Sequence, residues 1–129
     1  MNKFAINDGG RSKHFKGNKA SDCVIRSIAI ATESDYLEVM KSLFNLSFDT
    51  GYMPNDPRTY SVYLESKGWK KQKTLKKANG KKYLVSEFPA DSTAIIHTTH
   101  HLTTIKESTV LDTWDCREWC ANSWYIKTN

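Results

Sequence analysis

Apolar residues recur at helical spacing up to Gly68 and at alternate positions from Tyr83 onwards, so helices come first and strands last. That order predicts an α+β chain in which N-terminal helices pack on a mostly antiparallel C-terminal sheet. No internal repeat and no Pro-, Gly- or Ser-rich linker divides the 129 residues, so one domain over 1–129 is expected. A chain of this length can bury a sizeable core without disulfide staples.

The first helix is expected from Ser21 or Asp22, either of which can cap it, to about Ala31. Val24, Ile25, Ile28 and Ala29 leave only Arg26 and Ser27 polar, which describes a buried central helix. A second, amphipathic helix is expected over 35–46 on Tyr36, Val39, Met40, Leu43 and Phe44, followed by a loop over 47–54. Asn55 or Asp56 caps a third with Pro57 in its first turn, and Gly68 ends it. Strands are expected over 83–88, 93–98, 101–106, 109–112 and 123–127, and residues 1–20 read as an irregular lead-in.

The net charge of +5 is uneven. Eight lysines and no acid lie between Lys67 and Lys82, a segment of +8 that leaves the rest of the chain at −3. Such a stretch is either a solvated hairpin or a surface for an acidic protein or a nucleic acid. No apolar run nears the roughly 18–20 residues that cross a bilayer, and Met1-Asn2-Lys3-Phe4 holds no hydrophobic signal core. A cytosolic address without membrane contact is therefore expected. Three cysteines, an odd number, argue against a disulfide framework and leave thiols free.

Cys23 falls in the first turn of the buried helix, where backbone N–H groups and the positive helix end favour a thiolate. The alternative is a structural, packed cysteine. His101 opens a strand and Asp112 closes the next. A hairpin turning near Glu107-Ser108 would bring their outer ends together, so that the acid orients the imidazole and the other ring nitrogen takes a thiol proton. His100 competes with His101, and neighbouring strand residues point to opposite faces.

A cysteine opening a buried helix, a histidine opening a strand and an acid on the next strand resemble the chain order of papain-like cysteine peptidases. Ser21-Asp22-Cys23-Val24 is similar to the Asp-Cys of bacteriocin-processing peptidases in that superfamily, and Asp112-Thr113-Trp114 looks like the Asn-Ser-Trp of papain. Leu102 supplies the hydrophobic residue after the histidine. The likeness covers about 17–31 and 93–115, and the whole layout is similar to small papain-fold proteins of bacteria and phages. It implies a papain-like fold and a cysteine hydrolase, a peptidase or isopeptidase acting on a peptide or protein, with Cys23, His101 and Asp112 as the triad and no cofactor. It further implies that Trp114 shields the acid–imidazole bond. Relatives carry an oxyanion-binding glutamine six residues before the nucleophile, where Gly17 stands here. Asn18 is the nearest amide and would share the oxyanion with the Cys23 N–H. A papain-fold binding module that neutralises a host factor, or a nucleic-acid-binding protein, is the alternative.

Zinc at Cys116 and Cys120 with His97 or His100 is a weaker pattern, because the spacing is permissive and no second Cys pair exists. Trp114, Trp119, Trp124 and Tyr125 read as a core and cleft wall, or else as a substrate groove or stacking platform. Asp8-Gly9-Gly10 lacks the spacing of a phosphate loop. Nothing forces Asp112 and Asp115 into a carboxylate pair.

Overall fold

The structure, a computed structural model, describes residues 1–17 and 19–128. It is an α+β chain of three helices and a six-stranded mixed sheet. The elements run β1 (Lys3–Ile6), α1 (Cys23–Thr32), α2 (Tyr36–Thr50), α3 (Pro57–Ser66), β2 (Trp69–Gln72), β3 (Ala94–Thr98), β4 (His101–Lys106), β5 (Thr109–Asp112) and β6 (Trp124–Lys127). Among the described residues no helix is long and apolar enough to cross a membrane.

Helices α2 and α3 each start on a capping side chain. Asp35 accepts from the Leu37 and Glu38 N–H groups, and Asp56 from the Arg58 N–H, each satisfying donors that a helix start leaves orphaned. α2 runs to Thr50 and not into a loop at 47, and ends where Gly51 turns left-handed. The apolar stripe fades at the solvent side after Leu46, but backbone bonding continues until a residue tolerates positive φ.

The sheet order is β1-β5-β4-β3-β6-β2, with the β1–β5 pair parallel and the other four antiparallel. Two strands lie outside the expected set. β1 occupies the lead-in and β2 the start of the lysine segment, each at a sheet edge. Conversely, 83–88 is not a strand. Only Leu84 bridges, to Cys120, and the chain then winds into a 3₁₀ turn over Val85–Glu87, where the Glu87 carboxylate accepts from the Leu84 N–H.

Both sheet faces are covered. Val24, Ile28, Val39, Leu43 and Leu64 of the helices pack with Ile95, Leu102 and Tyr125 on one face. Ala94, Ile96, Ile105 and Val110 meet Val85, Phe88 and Cys116 on the other. Two buried polar bonds fix α1 against β4: the Ser27 hydroxyl donates to the Leu102 carbonyl (2.6 Å) and the Thr104 hydroxyl to the Ser27 carbonyl (2.7 Å). Ser27 sits one turn after Cys23, and Leu102 follows His101, so this seam sets the height of the one side chain against the other.

Candidate active site

The antiparallel pairing places the end of β5 and the start of β4 at the same end of the sheet. Continued from Thr104↔Leu111, the register sets Thr103 opposite Asp112, which makes His101 the diagonal neighbour of Asp112 on the same face. The turn between them is at Glu107-Ser108, both left-handed. His101 Nε2 lies 2.7 Å from Asp112 Oδ2, and both side chains are buried. Nε2–H donating to the carboxylate leaves Nδ1 free to accept, and Cys23 lines the same cleft as this ring. His100 sits in the turn before β4 at φ +57°, exposed, and has no part in the Asp112 bond.

Cys23 is half-buried at the first position of α1. Asp22 stands in the capping position but makes no capping bond. Its carboxylate instead takes the Arg26 guanidinium and the Tyr36 hydroxyl (2.7 Å), and Arg11 in turn donates to that hydroxyl (2.8 Å). The first intrahelical bond is from the Arg26 N–H to the Asp22 carbonyl. The N–H groups of Cys23, Val24 and Ile25 therefore have no partner within the helix and remain for an anion at its mouth.

Arg26 binds the two acids of the site together. It is buried, pairs with Asp22 one turn back, and donates from Nη2 to Asp112 Oδ1 at 3.3 Å. The Asp112 carboxylate is further held by the Thr113 N–H (2.7 Å) and by the thiol of fully buried Cys116 (3.7 Å). From the sequence Arg26 was assigned no role, and Cys116 was weighed only as a zinc ligand. Arg26 had a signal, an arginine four residues after an aspartate on a helix with no solvent face. Cys116 had none, because its approach to Asp112 depends on the bend after β5.

Electrostatics follows from these contacts. Burial opposes the Cys23 thiolate, but the neighbouring His101 ring, the Leu102 backbone and the charges of His101 and Arg26 outweigh it and hold the thiol below its ordinary value. Burial likewise opposes protonated His101, while its hydrogen bond with Asp112, the neighbouring Cys116 and Cys23 thiols and the Asp112 charge push its basicity well above that of a free imidazole. Asp112 is held below the usual carboxylate range, burial being overcome chiefly by its bond to His101. A thiolate–imidazolium pair is the charge state that such an arrangement favours.

Trp114, two residues past Asp112, covers the pair. Its ring centroid is 4.7 Å from that of His101, and Trp119 packs edge-on behind it at 5.4 Å. Trp124 and Tyr125 lie elsewhere, against Phe88 and Tyr60. The thiol opens onto a cleft of about 570 Å³ walled by Lys19, Asn55, Tyr60, His97, His100 and Trp114. Asn18, the expected oxyanion amide, lies outside the described residues.

Cys116 and Cys120 do not form the zinc pattern. Cys116 is buried on Asp112, whereas Cys120 is exposed beside Leu84. His101, Asp112 and Cys116 do bring three possible ligand atoms within 4.8 Å. Each is already hydrogen-bonded within the set, and the Arg26 guanidinium on the same carboxylate repels a cation. Asp115 pairs with Arg117 and forms no acid pair with Asp112. No family model, no curated protein and no solved structure matches this chain.

Proposed function

We propose that the chain is a papain-like cysteine hydrolase, a peptidase or isopeptidase, with Cys23 as nucleophile, His101 as acid–base and Asp112 as its orienting acid. The observation that carries this reading is the His101–Asp112 bond of 2.7 Å at the mouth of the helix that begins with Cys23. The Cys23 thiolate attacks the substrate carbonyl, and the oxyanion so formed meets the N–H groups at the start of α1 that have no partner within the helix. His101 gives its proton to the leaving amine as the C–N bond breaks, which leaves a thioester on Cys23. Neutral His101 then takes a proton from water as that water attacks the thioester, the C–S bond breaks, and the carboxylate product departs.

The test is the pH dependence of Cys23 carbamidomethylation by iodoacetamide, read by mass spectrometry in a Cys120→Ser background. Cys116 is kept because it touches Asp112. Half-maximal rate well below the roughly 8.5 of a free cysteine, moving upward in His101→Ala, supports the triad. A thiol that titrates near the free value and ignores the substitution leaves a binding module in which Cys23 is only structural.

A further inference from the structure

The lysine segment lies beside the proposed active site and is held in place. β2 is the last strand beyond β6, and the register Ile96↔Trp124↔Gln72 puts the end of β2 at the sheet end that carries His101 and Asp112. After Gln72 the chain is fixed to the sheet. The Trp124 indole donates to the Lys73 carbonyl (2.9 Å), Lys76 bridges Lys82, the Ala121 N–H donates to the Tyr83 carbonyl (2.8 Å), and Lys77 pairs with Glu87. Lys71, Lys73, Lys76 and Lys82 are all exposed and line one depression of about 600 Å³ whose walls contain no acid. Of the four, Lys82 donates to Asn122 Oδ1 (2.7 Å), and none is ion-paired among the described residues.

The depression and the Cys23 cleft adjoin across paired backbone. His97 lines the cleft, and its backbone bonds directly to Ser123, which lines the depression (2.9 Å), and to Asn122, which Lys82 holds (2.8 Å). The cleft continues the same sign, with Lys19 at its rim and its one acid, Asp22, buried under Arg26 and Tyr36.

We infer that the lysine-lined depression is a substrate exosite, which binds an acidic stretch of the polypeptide whose scissile bond lies at Cys23. This rests on the proposed hydrolase reading and names its substrate class. From β4 to β2 is three strand spacings, about 14 Å, or about four to five residues of extended chain. The acidic residues therefore lie about that far from the bond that is cut. A polypeptide fits better than a nucleic acid because the depression is lined by Lys, Gln, Thr and Ser and offers no aromatic face on which a base can stack.

The probes are peptides with an internal dehydroalanine, which alkylates a reactive thiol, and four glutamates about five residues to its N- or C-terminal side. Matched peptides carry four glutamines. One of the two glutamate peptides is expected to label Cys23 about ten-fold faster than its glutamine match at low salt. The advantage disappears near 0.5 M salt, by roughly which point a Debye length has shrunk to a few ångströms. It also disappears in Lys73→Glu/Lys76→Glu/Lys82→Glu, whose melting temperature verifies folding. Lys41→Glu, on the exposed side of α2, keeps it. Equal labelling by glutamate and glutamine peptides, with iodoacetamide still reporting an activated thiol, overturns the exosite and leaves the hydrolase reading standing. An ordinary thiol toward iodoacetamide removes both. A fluorescent single-stranded oligonucleotide of equal charge that binds more tightly than the glutamate peptide by anisotropy also overturns the proposal, and assigns the lysines to nucleic acid.

Discussion

Arg26 is the residue on which the charge balance of the site turns. Two carboxylates, Asp22 and Asp112, are buried within reach of its guanidinium, while its Nε has no partner among the described residues. A buried cation left one bond short is a poor device for stability alone. Arg26→Met keeps the length and removes the charge, and is expected to cost about 3–5 kcal/mol in urea unfolding because the buried pair with Asp22 is broken and Asp112 is left with His101 alone. In the same variant the Cys23 titration moves upward, whereas Arg26→Lys restores part of it. Cys23, His101 and Asp112 were legible because each occupies a position the pattern marks: a helix start, a strand start, a strand end. Arg26 was read only as a break in an apolar run, since its meaning depends on an acid eighty-six residues away. Trp114 was legible only through resemblance; nothing in its local pattern places it over an imidazole.

At the scale of elements, the loop after β1 is seated on α1 at one glycine. Gly9 has φ +70°, and a Cβ there would stand 2.9 Å from the Arg26 Cα, so the backbone of the loop lies directly on the helix that begins at Cys23. Gly9→Ala is expected to cost on the order of 1–3 kcal/mol and to slow Cys23 alkylation as the loop lifts. Gly80→Ala, also at positive φ but with nothing within 4 Å, costs less and leaves alkylation alone. Differential scanning calorimetry and the alkylation rate separate the two. Helices and central strands were legible because their apolar residues repeat over several turns or alternations. The edge strands were not. β1 has Ile6 exposed and pairs with a strand over a hundred residues away, and β2 carries Lys70 and Lys71 outward, as an edge that must avoid a further partner does. The alternation at 83–88 misled because its apolar residues serve a turn packed under the sheet.

For the molecule as a whole, the proposed triad is also a pH-dependent part of stability. His101 is more basic folded than unfolded, so its contribution is complete below the ordinary imidazole value of 6.5 and is lost as pH rises through the higher folded value. Asp112 is more acidic folded, so its contribution is complete above 3.8 and is lost as pH falls through the lower folded value. The stability difference between the wild type and His101→Gln is therefore expected to be greatest between those two values and to shrink toward both extremes. Urea unfolding at pH 3, 5.5 and 9, each roughly placed by the ordinary side-chain values, checks it. The sheet end that carries Asp112, His101, His97 and the lysines is opposite the Glu107-Ser108 turn, because β4 and β5 run the length of the hairpin between them. Anchored to a solid support through that turn, the protein would present its cleft and its basic rim outward together, with the attachment chemistry a full strand length away from both.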